Sequence, residues 1–411
     1  MKGYDPLRIR RGKLRISVGD VRIEESDRTR VSGVLDSGRL SEGRMVREFE
    51  DRFAEYVGAR YCVATSSGTG ALITGLESLK HMNNALLPGD SIVTTSLTYV
   101  ATANAIVLTG FKPVFADVDR LTFVITPDSV AAAINTADSP PRAVLPVHLM
   151  GYPSKVDELL RLRDSTDIEY VMEDACQAHG TWMGRKNAGT MGTLGFFSFY
   201  IAHNIQVGEM GAIVTDDSDV ASLARSIKAN GRVCTCRMCT RSTGTCPHSD
   251  RPYDPRFTHI RIGYNFKTTE IQAALALGQM ERADRIREQR LRNVSYLNDR
   301  LSDLQDLLAL PPFSEDVSYM AYPLVLKSSE MSRATVCQRL ANMGVESRPL
   351  FGCIPTQQPS YRAYADKYHN RLGNAEYLGA RGLYVGCHQY LTLEDLEYLC
   401  YAIRSVITSM M

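Results

Sequence analysis

The sequence lacks an excess of either charge. Its 47 basic and 46 acidic side chains leave a net charge of +1, so there is no electrostatic case for nucleic acid or an anionic membrane as partner. It also lacks any run of the ~18 apolar residues needed to span a bilayer. Its start has no apolar signal-peptide core, and the expected compartment is the cytoplasm. There is no internal repeat and no low-complexity block. The ten cysteines of a cytoplasmic chain should be mostly reduced, which argues against a disulfide framework. The basic stretch RIRRGKLRI at residues 8–16 reads as a solvated arm.

What remains is an ordinary globular composition, 44% hydrophobic and 23% charged over 411 residues. That length suits a large domain with a smaller one. Val46, Phe49, Phe53 and Tyr56 have helical spacing, and Gly58 follows as a stop signal. Short apolar runs at 61–65, 91–95, 113–116, 143–147, 168–172, 194–200 and 212–215 then alternate with helix-like segments. Runs with so little polar alternation suit strands buried on both faces, which predicts an α/β fold with a mostly parallel sheet. A helix is expected over 269–293 and another over 393–405. The large domain is read as 1–290, with a Cys-rich irregular insertion at about 233–255. Residues 291–411 form the smaller α+β domain.

Several residues stand at expected strand ends. Ser66-Ser67-Gly68-Thr69-Gly70 follows a strand and opens a helix, an arrangement that suits a phosphate but is equally a plain helix cap. Asp174 closes another strand, at the sheet edge where α/β proteins bind ligands. A carboxylate there suits a protonated ring nitrogen, or simply caps a helix. Together with Ser37-Gly38-Arg39-Leu40-Ser41-Glu42-Gly43, residues 98–104, Val147-His148-Leu149, Gly208-Glu209 and Gly263-Tyr264-Asn265, these segments resemble the sugar aminotransferases of fold type I. The resemblance runs over nearly the whole chain. It implies the fold type I pyridoxal-phosphate architecture, with Gly68, Thr69 and Ser198 on the cofactor phosphate. Tyr99 would stack on the pyridine ring, Asp174 would pair with its nitrogen, and Gln177 would lie near its 3-hydroxyl. Asn265 would reach the phosphate of a neighbouring subunit, implying a homodimer.

One position departs from that family. Where the aminotransferases carry the lysine that forms the Schiff base, this chain has His203, which has no primary amine. The cofactor would be held non-covalently, as pyridoxamine 5'-phosphate, with His203 as the base that removes a proton. The same replacement marks the sugar 3-dehydrases of the family, which remove the C3 hydroxyl of a nucleotide-linked 4-keto-hexose. One subtype is cluster-free and uses glutamate. The other carries a [2Fe–2S] cluster and takes electrons from a reductase. Fifty-seven residues separate Cys176 from Cys234, and one separates Cys234 from Cys236, as in the iron–sulfur subtype. The fourth ligand is expected at Cys246, with nine residues between it and Cys236 where the subtype has seven, and Cys239 is the other candidate. Four thiolates suit such a cluster; the rival is a zinc site formed by Cys234, Cys236, Cys239 and Cys246 or His248. Arg348, in Glu346-Ser347-Arg348-Pro349-Leu350-Phe351, is a candidate substrate contact. A relative that only binds cofactor is the remaining alternative.

Overall fold

The computed structural model describes residues 14–241 and 244–410. Seven strands form the main sheet: β1 (Tyr61–Thr65), β2 (Ser91–Thr95), β3 (Lys112–Ala116), β4 (Ala143–Leu145), β5 (Tyr170–Asp174), β6 (Leu194–Ser198) and β7 (Gly211–Thr215). Their spatial order is β1-β7-β6-β5-β4-β2-β3. The five strands from β6 to β3 run parallel, while β7 is antiparallel to both β1 and β6. Their side chains are buried almost throughout, as expected for a sheet covered on both faces.

The strand expected over 168–172 is observed two residues later, ending on Glu173 and Asp174. Acidic residues in a buried strand are tolerated here because Glu173 is fully paired. It accepts from the amides of Gly189, Met191 and Gly192 at 2.7–2.8 Å, and from Nε2 of His148 at 3.0 Å. His148 Nδ1 in turn accepts from the Ser154 amide.

A second, antiparallel sheet contains β8 (Leu308–Ala309), β9 (Tyr322–Leu326), β10 (Ser347–Pro349) and β11 (Gly382–Val385), in the order β8-β9-β11-β10. One apolar core joins the two sheets, taking in Val93 and Val144 from the first and Leu324 and Val385 from the second. The boundary expected near 290 falls inside a helix, Ala283–Arg300.

The helix expected over 269–293 is two, Glu270–Met280 and Ala283–Arg300. Arg282 leaves helical geometry at φ −110°, ψ 2°. Its guanidinium turns to Asp27 at 2.8 Å and Glu24 at 3.3 Å, on the first described helix. Residues 8–13 of the basic stretch lie outside the described residues. The rest of it is no solvated arm, because Ile16 is fully buried beside Val345 and Arg15 binds Glu394 at 2.9 Å. The described residues of the Cys-rich insertion carry turns and bends, and an isolated bridge between Arg232 and His259 joins its two flanks. Among the described residues no helix is long and apolar enough to cross a membrane.

Candidate active site

The C-terminal ends of β4, β5 and β6 open onto a cavity of about 680 Å³. A larger, shallower depression of about 940 Å³ lies at the other end of the sheet, beside Asp90, Arg142 and Glu169. Those residues precede strands, whereas ligands of parallel sheets bind beyond the carboxyl ends, and the 680 Å³ cavity is therefore the candidate site.

On one side, β1 runs into Ser67, which caps the helix Gly68–Leu79 by accepting from the Gly70 amide at 3.0 Å. The amides of Gly68 and Thr69 open that helix without intrahelical partners. A side chain at Gly68 would sit 2.6 Å from the Ser198 Cβ and 3.3 Å from the Cys176 sulfur. Only glycine lets this turn lie so close to the end of β6. Gly68, Thr69 and Ser198 all line the cavity.

Asp174 lies on the floor, 4% exposed. It accepts from the Thr102 hydroxyl at 2.8 Å and the Cys176 amide at 3.2 Å. Burial raises its pKa, and those hydrogen bonds partly oppose the shift. No ion-pair partner reaches it among the described residues, so a buried carboxylate faces the cavity with only neutral donors. Gln177 is held by the Met150 amide, which its Oε1 accepts at 2.9 Å.

His203 follows β6 in a tight turn, its amide donating to the Tyr200 carbonyl at 2.9 Å. Its Nδ1 lies 2.8 Å from the Ser198 carbonyl oxygen, which can only accept. The proton therefore sits on Nδ1, and Nε2 keeps a lone pair. Burial pushes the pKa down to about 4, with the Arg290 charge adding to the fall and the Ser198 bond opposing it. His203 lines the cavity as a neutral imidazole.

Tyr99 stands over the opening, 60% exposed, with its ring 6.2 Å from that of Phe351. Phe351 has a left-handed backbone, φ 30°. Arg348 lines the same cavity from the second sheet, its guanidinium on Glu346 Oε1 at 2.8 and 3.0 Å. Glu209, Thr102 and Phe351 also line it. The sequence reading assigned no role to these three; only the Thr102–Asp174 hydrogen bond, a tertiary contact, reveals Thr102. Asn265 lies outside this group. It is exposed and accepts from Lys267 at 2.6 Å.

The four cysteines expected to act together are not all adjacent. Cys176 lines the cavity between Asp174 and Gly68. Cys234 and Cys236 lie on the insertion with their sulfurs within 4.8 Å of each other and of a His248 ring nitrogen, and Cys246 is not in that group. Burial and the neighbouring thiols of Cys234, Cys246 and Cys239 push the Cys236 pKa up to about 11. Two converging thiols and an imidazole suit a transition metal. A cluster on Cys176, Cys234, Cys236 and Cys246 is met here by Cys234 and Cys236 as neighbours, and the chain spacing alone links Cys176 to them. The cavity itself fits pyridoxamine phosphate: free amides at a helix start for the phosphate, and an unpaired buried carboxylate for the ring nitrogen.

Comparison with known proteins agrees with this geometry. The DegT/DnrJ/EryC1/StrS aminotransferase family matches residues 21–404. The chain belongs to that family. It is 32% identical over 384 residues to the lipopolysaccharide biosynthesis protein RfbH of Salmonella typhimurium, covering 90% of this chain and 86% of that protein. It is 31% identical over 401 residues to dTDP-4-dehydro-2,6-dideoxy-D-glucose 3-dehydratase of Saccharopolyspora spinosa, covering 94% and 85%. Among solved structures, GDP-4-keto-6-deoxy-D-mannose-3-dehydratase of Escherichia coli, with bound hydrated PLP, superposes with a TM-score of 0.83 at 27% identity, covering 95% of this chain and 99% of that one. The fold is therefore that of the fold type I pyridoxal-phosphate enzymes, as the resemblance to the sugar aminotransferases implied.

Proposed function

We propose that this family member removes the C3 hydroxyl of a nucleotide-linked 4-keto-hexose, using pyridoxamine phosphate with His203 as the base. The observation that carries the reading is the single hydrogen bond from His203 Nδ1–H to the Ser198 carbonyl. It leaves Nε2 unprotonated at the cavity wall, in the position where the family's aminotransferases hold lysine. When bound, the cofactor supplies a primary amine that condenses with a keto group and a ring that accepts electrons. Gly68, Thr69 and Ser198 would hold its phosphate, and Tyr99 would cover its ring. Asp174, with Thr102 holding one oxygen, would keep the ring nitrogen protonated, while Gln177 would address the 3-hydroxyl. His203 Nε2, free of a proton at the cavity wall, would accept the proton that the reaction releases there. The names of the two 3-dehydratase relatives support the substrate class.

The finer reading is reductive. It adds a [2Fe–2S] cluster on Cys176, Cys234, Cys236 and Cys246, and an electron-donating reductase. The spacing between Cys176 and Cys234 and the closeness of Cys234 and Cys236 support it, and the cluster-free, glutamate-dependent course is the alternative. No residue assigned to the dehydration depends on that choice. A homodimer belongs to the reading, supported by Asn265, which lies exposed and away from its own cavity. The cytoplasm is its compartment.

The test is a panel of CDP-, dTDP-, GDP- and UDP-linked 4-keto-6-deoxyhexoses with pyridoxamine phosphate, with glutamate or a flavin reductase added in separate arms. Mass spectrometry should detect loss of one oxygen from at least one sugar. Transamination of the panel without deoxygenation would overturn the proposal.

A further inference from the structure

Among the described residues β1 is an edge strand of the main sheet, paired with β7 alone. The backbone groups on its other side need partners, since an unpaired edge is costly when buried and adhesive when exposed. Charged side chains supply them. Glu50, on the helix Arg44–Val57, accepts from the Ala64 amide at 3.0 Å, and the Lys228 ammonium donates to the Ala64 carbonyl at 2.7 Å. Both residues are buried, 3% and 4% exposed, so their charges must be met nearby. Lys228 is met by Glu42 at 2.7 Å and by Glu50 at 3.7 Å. The second oxygen of Glu50 is met from the Cys-rich insertion, where Arg237 Nε donates to it at 3.0 Å. Arg237 is itself anchored by Asp51 at 2.6 Å and the Arg47 carbonyl at 2.8 Å.

Ala64 lies just before Ser67, the cap of the helix Gly68–Leu79. The turn between them is tied to Lys228 a second time. The Ser66 amide donates to the Phe266 carbonyl at 2.8 Å, and the Phe266 amide to the Lys228 carbonyl at 2.9 Å. The free amides of Gly68 and Thr69 therefore take their position from a strand end that Glu50 and Lys228 clamp on both backbone groups. Arg237 carries this clamp out to the insertion. Without Arg237, the Glu50 carboxylate can turn toward Lys228, which loosens its hold on Ala64.

We propose that Arg237 is a positioning residue for the cofactor phosphate: acting through Glu50 and Ala64, it couples the Cys-rich insertion to the phosphate turn. The inference rests on the reading of Gly68, Thr69 and Ser198 as the phosphate site, and it holds whether or not the insertion carries a metal. Such coupling is reciprocal, so phosphate bound at the turn also steadies the insertion.

The experiment measures binding rather than turnover. Pyridoxamine phosphate and pyridoxamine are titrated into the full chain as wild type, Arg237→Gln, Arg237→Lys and Asp51→Asn, each first checked for native circular dichroism. The ratio of the two dissociation constants isolates what the phosphate contributes. That ratio should fall about 5-fold in Arg237→Gln, the lower end of couplings between sites, while pyridoxamine binds as in the wild type. Arg237→Lys, which keeps a charged donor for Glu50, should recover most of the loss. Asp51→Asn should keep the wild-type ratio, because it alters an exposed partner of Arg237 and leaves Glu50 untouched. Hydrogen exchange of residues 233–241, read by mass spectrometry, should slow more with pyridoxamine phosphate than with pyridoxamine in the wild type. In Arg237→Gln the two ligands should act alike. An unchanged ratio in Arg237→Gln, or equal weakening of both ligands, would overturn the proposal while leaving the phosphate site standing. Equal affinity of the wild type for the two ligands would show that the turn binds no phosphate, and the underlying reading would fail together with the proposal. The exchange comparison in the wild type needs no variant, and no difference between the ligands there would overturn the coupling even if Arg237→Gln did not fold.

Discussion

An imidazole has two nitrogens, and at His203 the Ser198 carbonyl accepts a hydrogen bond from one of them at 2.8 Å. Asparagine at this position keeps a donor for that carbonyl but offers no base. His203→Asn should therefore retain pyridoxamine phosphate while turnover falls by about 10²–10⁴-fold. Unchanged single-turnover rates would remove His203 from the mechanism. The pH dependence follows from the same environment. Burial lowers the pKa to about 4, so the neutral base persists as pH falls through the ordinary histidine range near 6.5. The acid limb of kcat/KM, which reports the free enzyme, should lie well below 6.5; a limb at 6.5 or above would mean another group controls the step. At Asp174 the argument concerns charge. Asp174→Asn keeps an acceptor for Thr102 but leaves no anion for the ring nitrogen. Turnover should fall steeply while the phosphate contacts of Gly68, Thr69 and Ser198 retain most of the cofactor, which the ratio of bound cofactor to rate would measure.

The same residues are only as well placed as the elements that carry them. The helix Arg44–Val57 shows how much of an element is legible. Its apolar spacing marked the helix in advance, and Gly58, here at φ 82°, marked where it ends. Its N-terminal cap was not legible, because it comes from Glu270, 227 positions away from Gly43. That buried carboxylate accepts from the amides of Gly43, Met45 and Val46 at 2.8–2.9 Å. Glu270→Ala would leave three amides without partners. The expected loss is about 2–4 kcal/mol, built from a lost cap and unsatisfied buried donors. Urea unfolding should show it as a lower midpoint with an unchanged slope, and an unchanged midpoint would count against it. The break at Arg282 and the late end of β5 escaped sequence reading for a similar reason. Each depends on a partner distant in the chain, Asp27 in one case and His148 in the other. Local pattern fixes period and end signals, whereas buried polar residues are decided by tertiary pairing.

At the scale of the whole molecule, the cavity exists because two sheets share one core. The first sheet contributes residues legible from strand ends, namely Gly68, Thr69, Asp174, Ser198 and His203. The second contributes Arg348, whose place on the opposite wall could not be read from motif order. Its guanidinium is held by Glu346, and Glu346 is itself held by the start of the described chain. Glu346 Oε2 accepts from the Val18 amide at 2.9 Å, and the Glu346 amide donates to the Ile16 carbonyl at 2.8 Å. Ile16 and Val18 are fully buried, so the N-terminal segment braces the wall that carries Arg348. This gives Glu346 a positioning role for a cation facing the cavity, where an anionic nucleotide sugar would bind. Glu346→Ala should let the Arg348 side chain spread over several rotamers and leave the Val18 amide unpaired. KM for the nucleotide sugar should rise about 10-fold, the effect of losing ~1.4 kcal/mol of uniform binding, with kcat little changed. Glu346→Gln, which can still accept from Val18 but no longer pairs a charge with Arg348, should fall between the two. If instead kcat fell and KM held, Arg348 would belong to the chemical step rather than to substrate capture. Equal KM in all three proteins would show that the second sheet only closes the cavity and does not read the substrate.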